Sequence, residues 1–193
     1  EPVSGLVVTR YGHGCPTRWI EVTEARHPVP DRAGQEAARR LMEMVQGLGA
    51  DDLVVALISG GGSALLPAPG PGMTLADEED VTSMLLASGM PISAMNRVRN
   101  ELSAIKAGRL AALAAPARVA TLVISDVPGD DPALIASGPT LPRKSSRDEV
   151  RALVRDHGLH LPPSAANLLS TDLNLPPDPE DPRFARNTVS VIA

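Results

Sequence analysis

The feature that most constrains the fold is a short apolar run that ends abruptly in three glycines. Residues 53–58 are Leu-Val-Val-Ala-Leu-Ile, and residues 59–63 are Ser-Gly-Gly-Gly-Ser. An apolar run of this length, bounded by glycine and containing β-branched residues, predicts a buried strand of a parallel sheet. The glycines then follow the carboxyl end of that strand, which is where open α/β folds bind their ligands.

The glycine segment predicts an anion-binding loop. Glycine tolerates positive φ and lets backbone amides approach a ligand closely, and the two serine hydroxyls add hydrogen-bond donors. The alternative is a flexible turn between a strand and a helix. The predicted phosphate- or substrate-binding residues of this loop are Ser59, Gly60, Gly61, Gly62 and Ser63.

Composition favours a parallel α/β fold. Aromatic residues make up only 2% of the 193 residues and apolar residues 43%, so the core must consist mainly of Val, Leu, Ile and Ala. A core of that kind suits a parallel sheet covered by helices. We therefore expect a three-layer, Rossmann-like α/β fold, with a parallel sheet and helices on both of its faces.

Charge, cysteine count and hydropathy limit the classes of function. A net charge of −5 without a basic stripe argues against a nucleic-acid-binding protein. Cys15 is the single cysteine, which indicates a reducing compartment and a cytoplasmic location. No apolar run approaches the roughly 18 residues of a membrane helix, and no signal-peptide pattern opens the chain. The oligomeric state stays open, with a homodimer among the options.

The pattern along the chain predicts alternating strands and helices. Asp31 is placed as a helix cap, Thr74 with Asp77 forms a variant capping box, and the helix that begins at Ser146 is expected to be capped. The predicted strands are 5–9, 19–24, 53–59, 119–125 and 187–193, and the predicted helices are 33–48, 75–88, 92–113 with a break near 107–108, 146–157 and 163–169.

The domain organisation expected is that of a fragment of a two-domain protein. Residues 1–170 are predicted to form an α/β domain that lacks its upstream part. Residues 171–193 contain four prolines between 173 and 182, followed by the start of an apolar strand. This last segment is predicted to be a linker that leads to a further C-terminal domain.

Two more loops carry polar residues that suit a ligand site. The loop after the strand at 119–125 contains Asp126, Asp130 and Asp131, whose hard carboxylate oxygens suit Mg²⁺. We expect Asp126 and Asp130 to hold the metal, although helix caps and Asx turns are the alternative for each of these residues. A third Gly/Pro loop contributes the predicted binding residues Ser137, Gly138 and Thr140.

A polar stretch within the helical run at 92–113 is another candidate. Asn96 and Arg99 lie three residues apart and so share a helix face. Arg99 and Lys106 are suited to bind a carboxylate or phosphate, Arg in bidentate fashion and Lys as a point charge. A solvated polar face is the alternative. His27, which precedes Pro28, is either a turn residue or a substrate contact.

Five segments in order resemble the glycerate 2-kinase family, whose members carry a MOFRL C-terminal domain. Because a single segment would not be specific, the order of all five carries the resemblance. Ala107 departs from the family pattern, which usually has a second glycine at that position. The five segments are His27–Asp31, Ile58–Leu65, Asn96–Leu110, Ile124–Asp131 and Ala136–Thr140.

The resemblance implies transfer of the γ-phosphoryl group of ATP to the 2-hydroxyl of D-glycerate, with ATP and Mg²⁺ as cofactors. It implies catalytic roles for Arg99, Asp126 and Lys106, and an orienting role for Asn96. Arg99 and Lys106 would neutralise the glycerate carboxylate or the developing phosphoryl charge. Asp126 would hold Mg²⁺ or orient the attacking hydroxyl.

Two other functions compete with the kinase. Members of the family have often been named hydroxypyruvate reductase, which would make the protein an NAD(P)-dependent dehydrogenase. Against this, the sequence contains no G-x-G-x-x-G dinucleotide fingerprint. The G-x-x-x-x-G-K-[ST] pattern of a P-loop is also absent. A non-catalytic domain that binds anions or nucleotides is the second alternative.

Overall fold

The computed structural model describes residues 3–125 and 129–192 of the chain. Strands and helices alternate along much of this length, as the sequence pattern predicts. The strands are β1 (Gly5–Arg10), β2 (Ile20–Ala25), β3 (Leu53–Ile58), β4 (Arg118–Ile124) and β5 (Thr188–Ile192). The α-helices are α1 (Arg32–Val45), α2 (Gly62–Leu65), α3 (Leu75–Ala87), α4 (Ile92–Leu102), α5 (Arg109–Ala114), α6 (Arg147–Asp156) and α7 (Pro163–Ser170), with 3₁₀ turns at Ile135–Ser137 and Pro182–Phe184.

All of the paired strands run parallel, which confirms the α/β class. β1 pairs with β2 in one sheet, and β3, β4 and β5 form a second sheet in that order. The sequence pattern predicts one sheet, whereas the structure divides the strands into two. β5, at the end of the proline-rich segment, extends the second sheet by pairing with β4.

β3 is a half-exposed strand, so the prediction of a fully buried one is wrong. Leu53, Val55 and Leu57 are 50%, 56% and 68% exposed, and they alternate with partly buried Val54 and Ala56. Side chains of a strand alternate between the faces of the sheet, and Val54 and Ala56 pack against the core that contains residues of α1 and α5. The uninterrupted apolar run therefore does not correspond to burial on both faces.

The helix caps confirm three sequence predictions. The Asp31 side chain accepts a hydrogen bond of 3.0 Å from the Gly34 amide at the start of α1. Thr74 and Asp77 form the reciprocal capping box of α3. Ser146 caps α6 by accepting from the Glu149 amide.

The predicted long helix at 92–113 breaks earlier than its periodicity suggests. α4 ends at Leu102, and α5 begins only at Arg109. The Ser103 hydroxyl accepts hydrogen bonds from the amides of Ile105 and Lys106, which replaces helical bonding with a local turn. Lys106 therefore lies on an irregular segment, residues 103–108, and not on the helix that carries Arg99.

Two apolar cores hold the elements together. The first lies among α3, α4, α6 and α7, and the second lies between α1, α5 and the sheet that contains β4. The segment 103–108 connects the two cores, because Leu102 belongs to the first and Ile105 to the second. None of the helices within residues 3–125 and 129–192 is long and apolar enough to cross a membrane.

Candidate functional site

The glycine loop and the loop after β4 begin at the same edge of the second sheet. β3 and β4 are parallel neighbours, with Ile58 opposite Val123, so their carboxyl ends lie side by side. Asp126, the predicted catalytic and metal-binding residue of the second loop, lies outside the described residues. Its role remains a prediction.

The glycine loop packs too closely against its neighbours to accept larger residues. Gly61 has a φ of +80°, and a Cβ there would lie 3.2 Å from His27 Nε2. A Cβ on Gly62 would lie 2.7 Å from the Cβ of Ala136, closer than a real contact allows. The hydroxyls of Ser63 and Ser137 are hydrogen bonded at 2.9 Å, which joins the first predicted loop to the third.

The third loop has an unusual backbone that the segment 103–108 supports. Ala136, Ser137 and Gly138 have φ values of +51°, +62° and +57°, in the left-handed region that favours glycine. The amides of Ala107, Gly108 and Leu110 donate to the carbonyls of Ser137, Gly138 and Pro139 at 3.1, 2.8 and 3.1 Å. Such backbone conformations concentrate at functional sites, where surrounding contacts maintain them.

Ala107 adopts the same left-handed region, with a φ of +54°. The resemblance noted above predicts glycine at this position, and the backbone gives the physical reason, since glycine reaches this conformation without a Cβ penalty.

A cleft of about 170 Å³ lies beside the glycine loop. It brings together predicted residues from separate parts of the sequence, together with residues that the sequence analysis did not assign to a site. A larger and more open hollow of about 540 Å³ lies against α1, but none of the predicted site residues lines it. The cleft residues that matter most for its chemistry are His27, Gly61, Ser63, Glu78, Thr82, Arg99 and Lys106.

Lys106 forms a buried ion pair in this cleft. Its Nζ lies 3.2 Å from Glu78 Oε1, and the two side chains are only 3% and 12% exposed. The Ser103 turn orients the backbone of Lys106, and the Arg109 guanidinium donates to the Lys106 carbonyl at 2.9 Å. This placement is compatible with the prediction that Lys106 presents a positive charge, although the paired carboxylate of Glu78 neutralises part of that charge.

Arg99 is a half-buried cation on the wall of the same cleft. Its Nη1 lies 3.4 Å from Asn96 Oδ1, a long hydrogen bond that places the predicted orienting residue beside it. Burial lowers the pKa of the Arg99 guanidinium, and the charge of Glu78 opposes part of that shift. Its Nε has no hydrogen-bond partner among the described residues.

A second buried ionic group involves α4, the helix that also carries Arg99. We define the support cluster as Glu101, Ser145 and Arg147. Both oxygens of Glu101 are used, because Ser145 donates to Oε1 at 2.6 Å and Arg147 donates two hydrogen bonds to Oε2. Arg147 also donates to the carbonyls of Leu168 and Leu173. The cluster therefore fastens α4 to the segment that follows α7.

Arg109 lies close to the support cluster and donates to the carbonyls of Asn100 and Asn174 as well as to that of Lys106. Burial lowers the pKa of its guanidinium to about 10, while Glu101 raises it and Arg147 lowers it further. Arg109 is thus still protonated at neutral pH. It shapes the segment that carries Lys106.

Two other predicted binding residues take part in buried packing. The Thr140 hydroxyl is hydrogen bonded to that of Thr121 at 2.9 Å, and both residues are buried. A Cβ on Gly138 would lie 2.8 Å from the Ala133 carbonyl oxygen. Both positions stabilise the third loop, and neither lines the cleft.

The acidic loop after β4 is only partly described. Asp131 accepts a hydrogen bond of 3.0 Å from the Ala133 amide, which is the capping role given above as the alternative to metal binding. Asp130 is exposed, with a φ of +52°. No group of three or more His, Cys, Asp or Glu residues suited to a metal ion occurs within the described ranges. The Mg²⁺ site at Asp126 and Asp130 remains a prediction.

The sequence pattern does not single out Glu78 as a site residue. Residues 77–80 are all acidic, so the run is easily interpreted as a solvated helix start. The signal was the helical spacing, because Glu78 shares one face with the buried Val81, Thr82 and Leu85. A carboxylate on the apolar stripe of a helix indicates a buried partner, here Lys106. His27, for which two interpretations were open, lines the cleft.

Fold and cleft together define a class of protein: a parallel α/β domain with a glycine loop and two cations arranged around a small cavity. The chain belongs to the DUF4147 family, whose profile is described as a domain of unknown function and matches residues 1–170.

Curated relatives carry two kinds of name. A D-glycerate 2-kinase from Thermotoga maritima is 43% identical over 156 residues, which cover 80% of this chain and 37% of that protein. A protein from Agrobacterium vitis with the provisional name hydroxypyruvate reductase is 59% identical over 168 residues, which cover 87% of this chain and 44% of the relative. The chain thus spans less than half the length of these relatives.

A solved structure has the same fold. The crystal structure of a glycerate kinase from Thermotoga maritima superposes with a TM-score of 0.87 and 36% identity, covering 97% of this chain and 44% of that one. These relatives confirm the resemblance to glycerate kinases that the five sequence segments suggest.

Proposed function

We propose that the complete protein is a D-glycerate 2-kinase, which transfers the γ-phosphoryl group of ATP to the 2-hydroxyl of D-glycerate. The observation that carries the proposal is the cleft in which Gly61 and Ser63 of the glycine loop meet Arg99 and Lys106. Relatives named glycerate kinase and D-glycerate 2-kinase support this choice of reaction. A MOFRL C-terminal domain would complete the protein.

Phosphoryl transfer depends mainly on positioning and on charge neutralisation, and the cleft offers both. The glycine loop is packed closely against His27 and Ala136, and Ser63 is held in place by Ser137. In this proposal the backbone amides of the loop bind phosphate. Arg99 and Lys106 supply positive charge on a wall that is largely shielded from solvent. In this proposal they bind the glycerate carboxylate or the transferred phosphoryl group.

Asp126 and Asp130 would hold Mg²⁺ at the edge of the sheet. Carboxylate oxygens are ligands that this ion prefers, and Asp130 is open to solvent. When bound, Mg²⁺ would neutralise charge on the phosphates of ATP.

The name hydroxypyruvate reductase among the relatives makes a dehydrogenase the second candidate. A dinucleotide site of the Rossmann type places the pyrophosphate at the start of a full-length helix. Here the glycine loop leads into α2, which has only four residues. The geometry therefore favours the kinase.

The test is an assay of the full-length protein with ATP, Mg²⁺ and D-glycerate, in which ADP is measured and the phosphorylated product is identified. We expect 2-phosphoglycerate. A parallel assay follows NADH oxidation with hydroxypyruvate. NADH oxidation without ADP formation would show that the protein is a reductase and not a kinase.

A further inference from the structure

Two residues that line the cleft each have a polar atom without a partner in the described part of the chain. Glu78 Oε2 and Arg99 Nε are both shielded from solvent, and neither has a hydrogen-bond partner among the described residues. Buried polar atoms in native proteins are nearly always paired, and a bound ligand is one source of the missing partner. Both residues line the same small cavity.

The two atoms are complementary in type. An ionised carboxylate only accepts hydrogen bonds, and a guanidinium only donates them. A molecule that pairs both must bring one donor and one acceptor on a short framework. A small hydroxy acid does so, because its hydroxyl donates and its carboxylate accepts.

We propose that Glu78 determines substrate specificity, with Oε2 accepting a hydrogen bond from the glycerate hydroxyl that is not phosphorylated, while Arg99 Nε donates to the carboxylate. This inference rests on the proposed kinase function. Lys106 holds the other oxygen of Glu78 at 3.2 Å, which fixes the side chain for this contact. Glu78 comes from α3, an element separate from the glycine loop at which the reacting hydroxyl would meet the phosphate.

The consequence is discrimination against acids that lack the second hydroxyl. D-lactate has the carboxylate and the 2-hydroxyl but a methyl group in place of the hydroxymethyl group. In a lactate complex the methyl group would occupy the place of that hydroxyl and keep water away, so Oε2 would be left without a donor. Sites built around a substrate hydroxyl reject such analogues strongly, by factors that reach about 10⁴.

The experiment compares D-glycerate and D-lactate as phosphoryl acceptors for the full-length protein. It measures kcat/KM for each substrate, and the inhibition constant of D-lactate against D-glycerate wherever lactate turnover is too slow to follow. We expect Glu78→Ala to lower kcat/KM for glycerate by about 100-fold or more and to change lactate turnover or binding by less than about 10-fold. Glu79→Ala is the matched control, since Glu79 is adjacent in α3 but does not line the cleft.

Thermal unfolding would reveal a folding defect in the Glu78→Ala variant. In that case Glu78→Gln, which keeps the shape of the side chain, tests the same contact. The amide keeps the shape but accepts a weaker hydrogen bond than a charged carboxylate, so we expect the glycerate-to-lactate ratio to fall by about 10-fold. Equal losses for both substrates would show that Glu78 acts only through Lys106, and would overturn the inference while leaving the kinase in place. Absence of kinase activity in the wild-type protein would overturn both.

Discussion

The cleft and the support cluster are built from the same chemistry but differ in completeness. Each pairs a buried glutamate with a cation on a neighbouring segment. In the support cluster both oxygens of Glu101 have donors, and Arg147 uses its nitrogens on Glu101 and on backbone carbonyls. In the cleft, Glu78 has one partner at 3.2 Å and a second oxygen with none.

This difference separates structural from ligand-binding use of buried charge. A buried ion pair recovers its desolvation cost only when the remaining hydrogen-bonding capacity is also used. The support cluster meets that condition internally and fastens distant segments together. The cleft does not meet that condition, because Glu78 Oε2 and Arg99 Nε lack hydrogen-bond partners within the described ranges. In our proposal the ligand supplies those partners.

The largest expected effect is loss of stability when the support cluster is broken. Arg147→Met would leave the buried Glu101 carboxylate without its counter-charge, and we expect a loss of about 3–5 kcal/mol in the free energy of unfolding. Urea denaturation measures it. Glu149→Gln is the control, because Glu149 pairs with Arg97 at the surface and exposed pairs contribute little. If Arg147→Met lowers the free energy of unfolding no more than Glu149→Gln does, the support cluster does not have the structural role that distinguishes it from the cleft.

Arg99→Ala should show the opposite behaviour, a large loss of activity with little loss of stability. Removing one preorganised donor to a charged substrate typically lowers kcat/KM by about 100- to 1000-fold. Because the Arg99 guanidinium is incompletely paired, its removal should change the free energy of unfolding by no more than about 1 kcal/mol. Steady-state kinetics on the full-length protein, with Arg97→Ala as the neighbouring control, measure the first effect. Unchanged kinetics would assign Arg99 a structural role.

The glycine loop offers a test of whether the first and third loops form one unit. Gly62→Ala places a methyl group 2.7 Å from the Ala136 Cβ, and such overpacking costs about 1–3 kcal/mol. Ala136→Gly removes the clashing atom and suits the positive φ at that position. The double variant should therefore recover most of the lost stability, and additive effects of the two changes in denaturation would contradict direct contact between the loops.

Local signals in the sequence were sufficient for most of the fold. Asp31, Thr74 and Ser146 cap helices as their sequence contexts predict, because capping depends on residues within one turn. Periodicity does not place the break after Leu102, because the break combines the local Ser103 turn with tertiary bonds such as that from the Ala104 amide to the Ala68 carbonyl. Periodicity alone carries no information about such distant partners.

The candidate site was predictable by residue type but not by arrangement. Four residues that the sequence predicts as ligand-binding from their residue type line one cleft: Gly61, Ser63, Arg99 and Lys106. Glu78 was missed because an acidic run at a helix start has an ordinary local explanation. Thr140 was chosen because it lies in a glycine-rich loop, yet its hydroxyl is used by Thr121 within the core.

The smallest expected effect on stability concerns Thr140, and it tests whether this residue supports the fold or binds a ligand. Thr140→Val leaves the buried Thr121 hydroxyl unpaired and should cost about 1 kcal/mol in the free energy of unfolding. Replacing both threonines with valine removes donor and acceptor together, so the double variant should be closer to wild type than the sum of the two single changes. Because Thr140 does not line the cleft, kcat/KM should change by less than about 2-fold in either variant. A 10-fold loss of activity with stability intact would instead return Thr140 to the ligand-binding residues, since a purely packed hydroxyl cannot act on turnover without first acting on the fold.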